Sequence, residues 1–172
     1  MDFKNTVKSG YNKIADRYLA ERLRDSEDVR LLDELVTRLP KGAKILDAGC
    51  GAGMPISQIL SGKFDVTGVD FSEAQIALAK KNVPNTKFLC EDMTKLKFPD
   101  NTFDGITSYY AIIHIPREEH QSLLANFHRM LKPNGLALLC LGAEHLIDDI
   151  EENYLARVCI GVTTTPKHIS RC

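Results

Sequence analysis

The sequence lacks any C-x-x-C pair, and its five cysteines, at 50, 90, 140, 159 and 172, are odd in number and widely spaced. That pattern argues against a disulfide framework and against a zinc site. The cysteines read as reduced thiols, with Cys50, Cys90 and Cys140 in or beside apolar runs where a thiol serves as a small hydrophobe. Charge of one sign is also missing: Lys plus Arg number 22 against 23 Asp plus Glu, for a net charge of -1. Without excess positive charge, bulk nucleic-acid binding is disfavoured. Long apolar stretches are absent too. The longest uninterrupted run, Leu136 to Leu141, falls far short of the roughly 20 residues that cross a bilayer, so no membrane span is expected. No apolar stretch follows the first lysine, no secretory signal is visible, and the expected location is the cytoplasm.

What is present is a chain of 172 residues, 44% hydrophobic and 26% charged, suited to one globular domain with a full core. Five short runs rich in apolar or β-branched residues read as strands: Ala43 to Asp47, Phe64 to Asp70, Lys87 to Glu91, Phe103 to Tyr110 and Leu136 to Gly142. Helix signals lie between them. Pro55 opens the segment Met54 to Leu60, Ser72-Glu73-Ala74-Gln75 is a capping box, and Pro116 with Glu118-Glu119 opens a helix ended by Lys132-Pro133-Asn134-Gly135. Ahead of the first strand, Ile14, Ala15, Tyr18 and Leu19 form one apolar helical face, and Leu31, Leu32, Leu35, Val36 and Leu39 form another. Alternation of this kind predicts an α/β fold with a parallel sheet and helices on both faces.

The segment Ile45 to Gly53 sets Gly49, Gly51 and Gly53 at alternate positions after a strand and before a helix. Glycines there let the backbone take positive φ and approach a ligand closely, and free N–H groups at the helix start can meet an anionic group. A second strand ends at Asp70, 21 positions after Gly49, where an acid is placed to bind the ribose hydroxyls of an adenosyl ligand. The dinucleotide fingerprint fails at its third glycine, which falls on Met54 counting from Gly49 and on Ile56 counting from Gly51. A phosphate loop fails as well, because no Gly-Lys-Ser/Thr follows. A nicotinamide oxidoreductase is therefore disfavoured.

From about Tyr11 to Gly142 the residues resemble the class I S-adenosylmethionine-dependent methyltransferases, in particular the small-molecule branch of ubiquinone and menaquinone type. The turn Leu46 to Gly53 looks like the family's first motif, Val69-Asp70 its second and Phe88 to Met93 its third. Phe103 to Ser108 resembles the strand-four motif, and Met130 to Gly135 the turn before strand five. The resemblance implies a Rossmann-like doubly wound sheet of mainly parallel strands flanked by helices. It implies S-adenosyl-L-methionine as methyl donor, S-adenosyl-L-homocysteine as product and a small-molecule acceptor. It divides the chain into an amino-terminal helical lid or cover at 1–40, a cofactor-binding core at 41–142 and an atypical short segment at 143–172.

By the same resemblance Asp70 binds ribose, while Gly49, Gly51 and Gly53 line the methionine part. Asp47 either buttresses the loop or reaches the amino group through water. Asp92 with Met93 meets adenine, unless strand registry exchanges Asp92 for Glu91. Phe71 packs on adenine or lies buried under the loop, and the backbone of Ser108 resembles a position that meets the methionine amino group. Tyr11 and Tyr18, seven residues apart, share a helix face. They resemble a lid whose tyrosines attract a sulfonium and exclude water, or else pack against the sheet. Arg22, one turn after Tyr18, suits the methionine carboxylate or an exposed position. His114 is the candidate base, because imidazole titrates near neutrality, or else a polar residue near a helix start. His120 and His128 are expected to face solvent.

The family pattern fails at the carboxyl end, where a helix and two more strands are usual. Here Glu144 to Leu155 can make the helix, and Ala156 to Thr163 one strand at most. Carboxyl-terminal strands are thus expected to be short or missing, through a natural short form or, as favoured, truncation. A bare fifth strand leaves room for a homo-oligomer through the incomplete sheet edge. The alternative to an enzyme is an S-adenosylmethionine-binding module without turnover that acts through a partner or is truncated from a longer enzyme.

Overall fold

Five of the apolar runs form the parallel strands β1 (Lys44–Ala48), β2 (Asp65–Asp70), β3 (Lys87–Cys90), β4 (Phe103–Ser108) and β5 (Leu131–Leu141). The computed structural model describes residues 3–22, 26–141 and 159–162. Its helices are α1 (Phe3–Glu21), α2 (Glu27–Arg30), α3 (Leu32–Arg38), α4 (Ile56–Ser61), α5 (Glu73–Asn82) and α6 (Arg117–Met130). A sixth strand, β6 (Cys159–Val162), pairs antiparallel with Leu138–Leu141 of β5. The sheet order is β3-β2-β1-β4-β5-β6. Strand order reverses at β1 and β4, so the crevice beyond their carboxyl ends is the switch point where ligands bind in open α/β sheets.

Burial on both faces explains why the strands read as nearly continuous apolar runs. Successive side chains of β1 point to opposite faces. Ile45 packs with Leu32, Leu35, Leu60 and Leu138, whereas Leu46 packs with Val69, Ile106, Leu123 and Met130. A third cluster of Cys50, Ile76, Ala79, Val83 and Phe88 seats α5 against β3 and the glycine loop.

Several expectations need correction. Ile14 faces solvent at 44% exposure, so the inward face of α1 rests on Ala15, Tyr18 and Leu19. The second amino-terminal helix divides at Leu31 into α2 and α3, though Leu32 and Leu35 enter the core as expected. Cys90 is exposed at the end of β3, while Cys50 and Cys140 are buried, and all three are free thiols. The segment after α6 is strand rather than turn from Leu131 onward. Its irregularity falls at Asn134, which has φ of 65° where the register slips between the pairs Phe103–Leu131 and Gly105–Leu136. Strand β5 is not bare, because β6 covers its last four residues. The expected helix at 144–155 and the segment 163–172 lie outside the described residues.

Candidate active site

The glycine loop leaves β1 and doubles back on β2, where Gly49 and Cys50 both donate their N–H to the carbonyl of Val69, at 2.7 and 3.0 Å. Gly49 has φ of +81°, and a Cβ there would sit 2.1 Å from the Ala111 Cβ and 3.0 Å from the Met93 Cε. Three segments thus converge at a point only a glycine can occupy. Gly53 does not line the cleft as expected. A Cβ on it would meet Phe88, Val83 and Ala79 at 3.2 to 3.4 Å, so it packs the loop against α5 and β3.

Asp70 is held at the carboxyl end of β2 by two backbone donors. Its Oδ2 accepts from Gly51 N at 3.0 Å and its Oδ1 from Ser72 N at 2.9 Å. Burial raises its pKa against the pull of those bonds. Ser72 caps α5 by accepting from Gln75 N at 3.2 Å, but the expected capping box is only half formed. Because the Ser72 N–H is taken by Asp70, the Gln75 carboxamide is left buried without a protein partner.

Asp47 lies under the loop, 1% exposed, with Ser57 Oγ donating to it at 2.5 Å and Thr107 Oγ1 at 3.2 Å. Burial pushes its carboxyl up to about 6, against the two hydroxyl donors. Asp92 accepts from Thr94 N at 2.9 Å and from Thr94 Oγ1 at 2.7 Å. Burial alone would raise its pKa, but those bonds and Lys4 outweigh it and hold the carboxyl low.

The amino-terminal helix completes the cleft. Lys4 Nζ reaches Glu119 at 2.5 Å, Thr94 Oγ1 at 3.0 Å and Asp92 at 3.4 Å. Asn12 Oδ1 accepts from Ser72 Oγ at 2.6 Å and from Ala74 N at 3.2 Å, fastening α1 to the start of α5. Lys8 pairs with Glu73 beside it. The Tyr11 hydroxyl lies 2.8 Å from His114 Nε2, and the rings of Tyr11 and Tyr18 meet edge to face at 5.4 Å. Burial lowers the pKa of His114. Arg22 is more buried than an exposed arginine: it donates to Asp28 at 2.8 Å and lies over the Tyr110 ring at 5.2 Å. His120 is partly buried, with Nε2 2.9 Å from the Ile115 carbonyl, whereas His128 faces solvent as expected.

These groups line a cleft, open to solvent, at the switch point. Tyr11, Tyr18, Asp47, Gly49, Gly51, Asp70, Phe71, Asp92, Met93 and His114 all line it, together with Arg22 and Glu91. Ser108 does not. It is fully buried at the end of β4, its hydroxyl has no protein partner, and Tyr109 to Ala111 form the wall in its place. Lys4 and Gln75 line the cleft although the sequence did not single them out as ligand residues. A lysine seven residues before Tyr11 carries no motif, but the glutamine three residues after a capping serine was a signal read only as structure.

Residues 45–135 match the family model of a methyltransferase domain. The chain is 30% identical to a TehB-like SAM-dependent methyltransferase from Corynebacterium glutamicum, with a TM-score of 0.65, covering 81% of this chain and 74% of that one. The chain belongs to the S-adenosylmethionine-dependent methyltransferases. Among curated members of this family it is 35% identical over 107 residues to a demethylmenaquinone methyltransferase of Staphylococcus epidermidis, covering 59% of this chain and 43% of the relative. It is 33% identical over 141 residues to 24-methylenesterol C-methyltransferase 3 of Arabidopsis thaliana, covering 75% of this chain and 39% of the relative. The chain thus spans less than half the length of these two curated methyltransferases.

The residues present fit the family's methyl donor. Each Asp70 oxygen carries one backbone hydrogen bond and keeps acceptor capacity for a ribose hydroxyl. The approach of Gly49 to Ala111 and Met93 leaves bare backbone at the wall of the cleft. Acidic groups at Asp47, Asp70, Glu91 and Asp92 outnumber the cations Lys4 and Arg22 there, which suits a ligand carrying a sulfonium and an ammonium.

Proposed function

We propose that this chain carries the catalytic core of an enzyme that moves a methyl group from S-adenosylmethionine to a small, partly apolar acceptor. The observation that carries this reading is the Tyr11–His114 hydrogen bond, which lies in the same cleft as Asp70 and Asp92. When bound, the sulfonium supplies an activated methyl carbon. Asp70 accepts from the ribose hydroxyls, Asp92 from the adenine amino group, and the Met93 and Phe71 side chains flank the ring. Asp47 stabilises the amino end of the ligand from beneath the loop, and Arg22 meets its carboxylate.

S-adenosylmethionine held by these residues would supply its methyl group to the acceptor's nucleophilic atom by displacement and would keep the electron pair of the broken bond on sulfur. Such a displacement depends mainly on alignment. An acceptor that must shed a proton passes it to the Tyr11 oxygen while the Tyr11 hydroxyl proton moves to His114 Nε2. Burial keeps His114 neutral at neutral pH and ready to receive it. Helix α1 acts as the lid, with Tyr11 and Tyr18 excluding water. Leu19, Met54, Ile56 and Ile115 make much of the remaining wall apolar, which supports a hydrophobic acceptor, as do the relatives named for menaquinone and sterol methylation.

The near-balanced charge supports a reading without bulk nucleic-acid binding. No helix among the described residues is long and apolar enough to cross a membrane, and the free thiols suit a cytoplasmic location. Among the described residues β6 pairs with β5 only at Leu138–Leu141, which supports a reading in which the rest of that edge contacts a second copy of the chain. A strictly monomeric species in sedimentation would overturn that assignment.

Calorimetric titration with S-adenosylmethionine, S-adenosylhomocysteine and NAD tests the main reading. The first two are expected to bind and the third is not. Absence of binding by both sulfur ligands rejects it, as does binding without methyl transfer across a panel of phenolic, quinol and sterol-like acceptors.

A further inference from the structure

Among the described residues three that are not glycine have positive φ: Asn101, Tyr110 and Asn134, at 52°, 53° and 65°. Asparagine adopts this left-handed region readily, whereas a bulky aromatic residue there is a true outlier. Neither asparagine lines the cleft, and Tyr110 does. The backbone turn has an evident use, since it delivers Ala111 to its close approach to Gly49. Glycine would make that turn without strain, so the strained position is kept for the sake of the Tyr110 ring.

The ring is fastened on more than one side. Arg22 lies over it, 5.2 Å from its centroid, and the Tyr109 ring meets it at 6.5 Å with an interplanar angle of 64°. Both neighbours are anchored by Asp28, a 7% exposed acid that lies outside the cleft. Its carboxylate accepts from Arg22 at 2.8 Å and from the Ser26 hydroxyl, and its carbonyl accepts from the Tyr109 hydroxyl at 3.1 Å. Arg22 cannot follow a displaced ring without leaving that carboxylate buried and short of a partner.

We infer that Tyr110 is a specificity-determining residue for methyl transfer, a fixed wall that limits the size of the acceptor. This rests on the methyltransferase reading above. That reading spends Asp70, Asp92 and the glycine loop on the donor, and leaves Tyr110 with Tyr11, His114 and Ile115 in the part of the cleft lined by α1 and the chain after β4. A side chain free to change rotamer yields to a larger ligand, whereas a ring pinned against a buried ion pair excludes it by clash. Discrimination of this kind acts on acceptor bulk and leaves the donor's affinity alone.

The test compares the wild type with Tyr110→Phe, which keeps the ring, and with Tyr110→Gly and Tyr110→Asn, which remove it at a backbone angle that both residues accept. Phenol, 1-naphthol and 9-phenanthrol, graded from one ring to three, are titrated into each protein saturated with S-adenosylhomocysteine. Methyl transfer to each from S-adenosylmethionine is measured, with thermal unfolding alongside. In the glycine and asparagine variants the affinity for phenanthrol relative to phenol is expected to rise roughly tenfold over the wild-type ratio, with turnover following the same order. Tyr110→Phe is expected to keep the wild-type ratio, and all three variants should bind S-adenosylhomocysteine within a few-fold of the wild type. An unaltered ratio in both small variants overturns the inference, as does an equal shift in Tyr110→Phe or failure of all three phenols to bind the small variants. A loss of S-adenosylhomocysteine affinity larger than the change among the phenols assigns the ring to donor binding and overturns it too. Failure of the wild type to bind S-adenosylhomocysteine would instead reject the methyltransferase reading itself.

Discussion

The Tyr11 hydroxyl stands 2.8 Å from His114 Nε2, joining the amino-terminal helix to the turn after β4 across 103 positions of sequence. The two rings also meet edge to face at 5.4 Å. Tyr11→Phe keeps both ring contacts and removes only the hydroxyl, so it separates proton transfer from packing. Turnover is expected to fall by roughly 10²-fold for an acceptor that must lose a proton. Affinity for S-adenosylhomocysteine should stay within a few-fold. Because burial lowers the His114 pKa from 6.5, wild-type activity should persist through pH 6.5 and decline only below it. An acid limb at pH 7 or above, or unaltered turnover in the variant, would remove His114 from the reaction.

Two glycines with similar backbone angles give a second prediction. Gly42 has φ of +79° with nothing within 4 Å of a built Cβ, whereas Gly49 has φ of +81° and the Ala111 Cβ at 2.1 Å. Alanine at Gly42 meets only backbone strain, on the order of 1 kcal/mol. Alanine at Gly49 meets the same strain plus a clash between loops, and should cost on the order of 3 kcal/mol or more. Chemical denaturation of the two variants should give these unequal losses, with ligand binding impaired in Gly49→Ala alone. Equal losses would mean that the loop tolerates displacement from Ala111.

The glycine loop and Asp70 were legible because spacing and strand context fix where the backbone must bend and where the strand must end. Tyr11 and Tyr18 were legible as one helix face because the seven-residue interval carries its own geometry. At Ser108 strand β4 ends and the chain turns through Tyr110, with φ of 53°, so the side chains that line the cleft at this point come from Tyr109 to Ala111. Gly53 was misplaced because a glycine that admits a neighbouring Phe ring looks, in sequence, like one that admits a ligand. Lys4 was invisible, since its partners Asp92, Thr94 and Glu119 lie far along the chain and no local pattern links them. The freed amide of Gln75 depends on which acceptor wins the Ser72 N–H, a competition set by tertiary structure.

Asp47 supplies a pH prediction. Its carboxyl is raised from 3.8 to about 6 by burial, so the folded state binds this proton more tightly than the unfolded state does. Its contribution to the unliganded protein's stability is therefore present below pH 3.8 and is lost as pH rises through about 6, a change of about 3 kcal/mol. Asp47→Asn should flatten the pH dependence of unfolding free energy across that window. Binding a cationic ligand favours the carboxylate, so S-adenosylmethionine should release a proton near pH 6. Calorimetry in buffers of different ionisation enthalpy reads that proton directly. A buffer-independent heat, with an unfolding profile unaltered by the substitution, would show that Asp47 is ionised throughout.

The Lys4 contacts predict how α1 is retained. Its ammonium bridges Asp92, Thr94 and Glu119, and so ties the first turn of the helix to the acid assigned to adenine and to the start of α6. Lys4 and Asp92 are each less than a quarter exposed at their side chains, so salt screens them only in part. Lys4→Met keeps the aliphatic stem and removes the charge. Asp92, Thr94 and Glu119 all lie outside the strands, so the melting temperature of the core should move little. Amide hydrogen exchange in residues 3–12 should accelerate, because the ammonium bridge that ties the first turn is lost while Lys8, Tyr11 and Asn12 fasten the helix further along. The dissociation rate of S-adenosylhomocysteine should rise several-fold in stopped-flow measurements, with a smaller change in association rate. Faster exchange throughout the sheet would make Lys4 a general stabiliser. Unchanged exchange in α1 with an unchanged off-rate would show that Asn12 and Tyr11 hold the helix without it.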